Sequence, residues 1–132
     1  MDEKKILIVD DEVTILTMLS DILSTEGYTV RTAGNAEEAL NVVRQDGIMV
    51  MFIDLNLPGK NGLKLGDEIH KQRVAIMYAL TGDPHFFGLM NCRVAGFDDL
   101  FLKPIPIDTI LKAAAHAFEK IERWEAFEFD LP

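Results

Sequence analysis

Four short apolar runs in this chain each stop at a residue that can do chemistry. Ile6-Leu7-Ile8-Val9 stops at Asp10-Asp11, Met51-Phe52-Ile53 at Asp54, Tyr78-Ala79-Leu80 at Thr81, and Leu100-Phe101-Leu102 at Lys103. As neighbouring strands of one parallel sheet, these runs bring three carboxylates, a hydroxyl and an ammonium to one edge. In open α/β sheets that edge, outside the carboxyl ends of the strands, is where ligands bind. Asp10, Asp11 and Asp54 gathered there repel one another, and burying them without a counter-charge is costly. A hard divalent cation resolves the conflict. Mg²⁺ takes oxygen ligands, keeps several waters and is usually held by one or two carboxylates together with a phosphate, so it suits this set. Lys103 can make a charge-assisted contact to a phosphoryl oxygen, and the Thr81 hydroxyl can hydrogen-bond another. A carboxylate can itself attack phosphorus. The constellation therefore reads as a site that receives a phosphoryl group, with positioning and charge neutralisation doing most of the catalytic work.

Each piece has a plainer alternative. An acidic pair after a strand often caps a helix, and Asp11 or Glu12 would complement the dipole of a helix that follows. Thr81-Gly82 by itself is a turn. The conjunction, in this order and each at a strand end, favours chemistry. A zinc site has no support, because His70, His85 and His116 are scattered and Cys92 is the single cysteine. The histidines are expected at the surface or its boundary, and Cys92 as a small residue packed in a helix. A lone thiol cannot form an internal disulfide and suits a reducing compartment.

The elements that must position these residues are legible in the hydrophobic pattern. Strand-length apolar runs alternate with helix-length amphipathic segments from residue 5 to about residue 120, which argues for βα units and a parallel sheet covered on both faces. A first helix over 13–25 puts Leu16, Leu19, Ile22 and Leu23 on one face and ends at Gly27. A strand follows at 28–32. Asn35 with Glu38 has capping-box spacing, opening a helix that carries Leu40 and Val43 inward as far as Asp46-Gly47. Met49 to Ile53 is the most hydrophobic strand and is expected at the centre. Pro58-Gly59 and Asn61-Gly62 mark a loop with tight turns. The spacing then predicts a short helix over 63–71, despite Gly66 inside it. A strand at 75–80, one helix over 84–95, a strand at 99–102 and a final helix after Pro104-Ile105-Pro106 complete the series.

A length of 132 residues fits one domain, placed at residues 1–120, with 121–132 as a helical extension or tail. The 22 acidic against 13 basic residues give a formal charge of −9, which works against nonspecific binding to nucleic acid or an anionic membrane. No apolar stretch approaches the roughly 20 residues of a spanning helix, and the first residues show no leader. The expected location is cytoplasmic.

The segments Ile6 to Glu12, Ile53-Asp54-Leu55-Asn56-Leu57-Pro58-Gly59 with Gly62, Ala79-Leu80-Thr81-Gly82, Ala95-Gly96-Phe97-Asp98-Asp99 and Lys103-Pro104 together resemble the response regulator receiver domain of two-component signalling. The likeness spans residues 5 to about 118. It implies a flavodoxin-like, doubly wound α/β fold: a five-stranded parallel sheet between two layers of helices. It also implies that Asp54 is the phosphoacceptor, taking its phosphoryl group from a histidine of a sensor kinase or phosphotransfer protein. Asp11 and Asp54 would bind Mg²⁺ by carboxylate, Asn56 by its backbone carbonyl and Asp10 through a water. Lys103, Thr81 and Gly82 would form the phosphoryl-binding and switch positions, the Lys103-Pro104 bond would be cis, and slow self-hydrolysis would reset the switch. One departure stands out. Three positions before the lysine the family commonly has Tyr or Phe, whose ring moves as the threonine shifts; this chain has Leu100. Its neighbour Phe101 falls on the opposite face of a strand and cannot take over that role.

Two further readings compete with a phosphorylation switch. A receiver that signals by constitutive binding is opposed by the intact Asp10, Asp11, Asp54, Thr81 and Lys103. An aspartate-nucleophile phosphatase or phosphomutase typically carries an acid two residues after the nucleophile, where this chain has Asn56. With no second domain after the receiver, the chain is expected either to act on an unknown downstream effector protein by binding or to be part of a longer protein. The final helix reads Ile107, Ile110, Leu111, Ala114, Phe118 and Ile121 along one core-facing stripe. Trp124, Phe127 and Phe129 beyond it are expected to fold back on the core or lead into a linker, with a homodimer through the last helices as a further option. Of Phe86 and Phe87, about 100° apart on a helix, one should face the core and the other a partner surface made by helix four, strand five and helix five.

Overall fold

The computed structural model describes residues 3–130; the side chains of residues 84, 86 and 128–130 lie outside that description. Five strands alternate with helices in the order β1 (Lys5–Val9), α1 (Val13–Thr25), β2 (Thr29–Ala33), α2 (Ala36–Asp46), β3 (Val50–Asp54), α3 (Gly62–Gln72), β4 (Ile76–Thr81), α4 (Pro84–Phe87), α5 (Leu89–Val94), β5 (Asp99–Leu102) and α6 (Ile107–Asp130). All strand pairs are parallel and the sheet order is β2-β1-β3-β4-β5. This is the flavodoxin-like arrangement, with β3 at the centre and buried along its whole length.

The continuous apolar runs follow from burial on both faces. Alternate residues of each inner strand enter two separate cores. Leu7, Val9, Met51, Ile53, Met77 and Ala79 belong to one, with α2, α3 and α5 over it. Ile6, Ile8, Val50, Phe52, Ile76, Tyr78 and Leu80 belong to the other, under α1 and α6. In the second core Tyr78 lies between Phe52 and Phe101, with ring centroids 5.1 and 5.6 Å away. Its hydroxyl donates to the Ala113 carbonyl at 3.0 Å, tying β4 to α6. Burial and the nearby Asp98 and Asp99 carboxylates push this phenol up to about 12, so it stays a donor.

Local signals account for most boundaries. Glu38 N–H donates to Asn35 Oδ1 and the Glu38 carboxylate accepts from Gly34 N–H, both near 2.9 Å, which fastens the start of α2. Gly47 ends α2 in the left-handed region at φ 63°. Gly66 sits inside α3 for a packing reason: a Cβ there would overlap the buried ring of Phe97.

Three expectations need correction. The single helix over 84–95 is two pieces, because Gly88 at φ 79° and ψ 136° leaves the helical region between Phe87 and Leu89. Ile107 is exposed at the start of α6 and not part of its core stripe, whereas Ile110, Ala114, Phe118 and Ile121 are buried. Trp124 and Phe127 do not fold back; α6 continues to Asp130 and leaves both exposed. Phe87 is buried in the first core. The side chains of Phe86 and Phe129 lie outside the described residues.

The Gly66 contact is testable. Gly66→Ala forces the Phe97 ring to move, and overpacking of this kind costs about 1–3 kcal/mol, so thermal denaturation should show a lowered Tm. Phe97→Leu in the same chain should restore part of the loss.

Candidate functional site

Asp10 and Asp54 sit at the carboxyl ends of the adjacent strands β1 and β3, and Thr81 at the end of β4. All three are buried. A shared local device turns the chain at each of these ends: the side chain accepts the backbone N–H two residues on. Glu12 N donates to Asp10 Oδ1 at 2.9 Å, Asn56 N to Asp54 Oδ1 at 3.0 Å, and Asp83 N to Thr81 Oγ1 at 3.1 Å. Such Asx- and ST-turns end a strand and fix the side chain together. They escaped the sequence reading, although an Asp or Thr at the end of an apolar run is the signal that finds them.

The second oxygen of each buried carboxylate meets Lys103. Its Nζ donates to Asp10 Oδ2 at 2.7 Å and to Asp54 Oδ2 at 3.2 Å, and Glu12 Oε1 on the rim lies 3.7 Å away. Lys103 is placed by its own backbone, whose N–H donates to the Thr81 carbonyl at 2.8 Å, and the Lys103–Pro104 peptide is cis. Burial works against the ammonium charge. The hydrogen bonds to Asp10 and Asp54 and their negative charges outweigh it and hold Lys103 above the usual lysine range. For Asp54 the balance goes the other way: burial, helped by the Asp10 charge, pushes its carboxyl up against the pull of Asn56 N–H and Lys103.

Asp11 stands exposed at the rim, and one oxygen each from Asp10, Asp11 and Asp54 lie within 4.8 Å of one another. Three converging carboxylates with no sulfur or imidazole among them are a donor set for a hard metal ion. The loop after Asp54 is closed by Gly62, whose N–H donates to the Leu55 carbonyl and where any Cβ would overlap the Asp54 carbonyl oxygen. Asn56 is exposed beside Asp54. Gly82 is exposed too, and a Cβ there would meet nothing within 4 Å, so packing does not require a glycine. Leu100 is half-buried in the first core and pairs with Ala79, while Phe101 packs in the second. His70, His85 and His116 are exposed and Cys92 is buried. The sheet thus gathers Asp10, Asp11, Asp54, Thr81 and Lys103 at one edge and leaves the histidines and Cys92 elsewhere.

The sequence profile of the response regulator receiver domain matches residues 6–115. The chain belongs to this family. It is therefore a phosphoacceptor signalling domain of the two-component kind and not an enzyme in the ordinary sense. Among curated relatives, the aerobic respiration control protein ArcA of Escherichia coli K12 is 35% identical over 105 residues, covering 79% of this chain and 44% of ArcA. The sensor histidine kinase RcsC of Salmonella typhimurium is 27% identical over 126 residues, covering 95% of this chain and 13% of RcsC. The receiver thus spans less than half the length of either relative. Among solved structures, a CheY-like receiver domain protein from Methanospirillum hungatei JF-1 superposes with a TM-score of 0.85 at 30% identity, covering 92% of this chain and 98% of that one. The NtrX receiver domain from Brucella abortus gives 0.80 at 34% identity, covering 86% and 98%.

The raised Asp54 carboxyl carries a stability consequence. A carboxyl that binds its proton more tightly in the folded state favours folding at low pH, and that contribution is lost as pH rises through the folded value. At neutral pH the ionised Asp54 is therefore a net cost in the metal-free receiver. Asp54→Asn should raise Tm by a few degrees at neutral pH in a metal chelator, and the gain should shrink as the pH is lowered through the raised Asp54 value to the ordinary carboxylate range.

Proposed function

We propose that this receiver takes a phosphoryl group onto Asp54 from the phosphohistidine of a sensor kinase or phosphotransfer protein, and that the modification switches binding to a downstream protein. The observation that carries this is the Asp54 carboxylate at the end of the central strand, held by Asn56 N–H and Lys103 beside Asp10 and Asp11. An Asp54 oxygen attacks phosphorus, the phosphorus–nitrogen bond breaks, and the donor imidazole keeps the bonding pair. Lys103 turns from the two carboxylates toward the incoming phosphoryl oxygens and meets part of the negative charge they bring. Asp10, Asp11, Asp54 and the Asn56 backbone carbonyl would hold Mg²⁺. Bound there, the ion offsets the negative charge of carboxylates and phosphoryl group together. Water later hydrolyses the aspartyl-phosphate slowly and resets the receiver.

Thr81 supplies the first movement. Its hydroxyl is engaged with the Asp83 backbone, at 3.1 Å to the nitrogen and 3.2 Å to the oxygen, and must leave it to reach a phosphoryl oxygen. Asp83 also accepts from His85 N–H and so caps α4; the shift therefore reaches the short helices α4 and α5. The surface there carries exposed Leu89, Met90, Val94 and Leu102, which suits the downstream partner. Leu100 has no ring to follow Thr81, so the relay runs without an aromatic at that position. Among the described residues no helix is long and apolar enough to cross a membrane, and a cytoplasmic site of action fits the donor.

Incubation with Mg²⁺ and acetyl phosphate followed by intact mass tests the acceptor. The wild type should gain one phosphoryl group and Asp54→Ala none; an unmodified wild type given several donors sinks the proposal. The relay is tested separately with fluoroberyllate and hydrogen exchange. Thr81→Ala should abolish the change in protection over residues 82–102 that the wild type shows, and Leu100→Ala should keep it. Loss with Leu100→Ala alone contradicts an aromatic-free relay.

A further inference from the structure

The loop that leaves Asp54 ends in the pair Asn61-Gly62, whose residue types the phosphoryl chemistry does not use. Of the asparagines at 35, 41, 56, 61 and 91, Asn61 alone is followed by glycine. That pair has a chemistry of its own. A glycine nitrogen has no side chain beside it to hinder attack on the preceding carboxamide carbon. The new carbon–nitrogen bond closes a five-membered succinimide, and the side-chain nitrogen leaves as ammonia, taking the proton that the glycine nitrogen gives up. Water then opens the ring at either carbonyl. One opening yields aspartate, the other isoaspartate, which carries an extra methylene in the main chain.

The fold itself installs this pair. At Gly62 a Cβ would overlap the Asp54 carbonyl oxygen and crowd Leu55 Cα, and backbone atoms cannot yield as a flexible side chain does. Asn61 caps α3, its Oδ1 accepting from Lys64 N–H at 2.9 Å. The same contacts restrain the reaction. Gly62 N–H donates to the Leu55 carbonyl at 3.0 Å and the Asn61 carbonyl accepts from Leu65 N–H at 3.1 Å, so the peptide between the two residues is engaged at both ends. The cap holds the carboxamide on Lys64, whereas ring closure needs it turned onto a released Gly62 nitrogen.

We infer that Asn61-Gly62 is a modification site that the fold keeps closed: it deamidates when the Leu55–Gly62 contact and the α3 cap open together, and isoaspartate there disables the loop that carries Asn56. Aspartate at this position is harmless, because it caps a helix as well as asparagine does. Isoaspartate is not. Its longer main chain cannot keep both the Gly62 bond to Leu55 and the start of α3, so the segment 55–62 loosens beside Asp54. The site and its protection stand apart from phosphoryl transfer; the loss of acceptor function alone rests on the reading of Asp54 proposed above.

The whole chain, folded and unfolded in urea, is aged at mildly alkaline pH beside a synthetic peptide of residues 57–66, and peptide mapping follows each asparagine. In the peptide and the unfolded chain Asn61 should react first. In the folded chain it should react roughly tenfold or more slowly, since the locally opened state is the one that reacts, and urea below the unfolding transition should narrow the gap. Chain aged in that urea and returned to buffer should show faster hydrogen exchange over residues 55–62 and lose fluoroberyllate binding in proportion to its isoaspartate content, measured with isoaspartyl methyltransferase. Asn61→Asp should exchange as the wild type does and still take fluoroberyllate. A folded chain that deamidates at the peptide's rate, another asparagine reacting first in the unfolded chain, or isoaspartyl chain that exchanges as the wild type does overturns the inference. A fresh wild type that takes no fluoroberyllate counts against the phosphorylation reading instead, and the rates and hydrogen exchange still decide this one.

Discussion

Two buried carboxylates share one ammonium in this receiver, and much of its architecture serves that contact. Asp10 and Asp54 stand on adjacent strands at the same edge of the sheet, and leaving both there without a counter-charge would be strongly unfavourable. Lys103, two strands away from β3 and 93 residues after Asp10, reaches both. The arrangement needs β1, β3 and β5 in their observed order and register, and it needs each chain end to stop at the right height. The side-chain-to-backbone bonds at Asp10, Asp54 and Thr81 do the stopping. The remaining tension, visible in the raised Asp54 carboxyl, leaves the site ready for a cation and an incoming anion.

The sheet carries this edge because it is buried on both faces. Each inner strand divides its residues between two cores, so neither face can slip by one residue without moving every side chain to the wrong side. On the α1 and α6 side the Phe52, Tyr78 and Phe101 rings span β3, β4 and β5, and the Tyr78 hydroxyl fastens them to α6. On the other side small contacts dominate: Gly66 admits the Phe97 ring, and Leu100 packs by Ala79. The region around α4 and α5 is built differently. Its helices have four and six residues and are separated by Gly88, and their exposed apolar side chains are not used by either core. Short elements with few buried contacts are the ones that rearrange at low cost, which suits the movement proposed for Thr81.

The strands and α1 to α3 were legible because period and capping agree there. An apolar run bounded by turn residues, Asn35 with Glu38, and Gly47 after a helix all have local causes. The segment 84–95 departs from one helix for a local reason as well: Gly88 takes a backbone conformation that side chains seldom adopt and divides it. Gly66 was the opposite case, a glycine that weakens a helix by propensity and is explained only by a ring from a distant loop. Ile107 and Trp124 show the limit of a helical stripe. The spacing of apolar residues continues at both ends of α6, but the sheet beneath does not.

The sequence by itself determined the chemistry and the class of fold. Residue types at the ends of apolar runs require an acidic, lysine-bearing edge, and the alternation of runs with amphipathic segments requires parallel strands between helices, because both are consequences of short-range pattern. Tertiary structure alone decided which oxygen meets which nitrogen, that one lysine serves two carboxylates, that a glycine inside α3 makes room for Phe97, and how far α6 outruns its support. Those outcomes depend on distances between residues far apart in the chain, and no local periodicity encodes them.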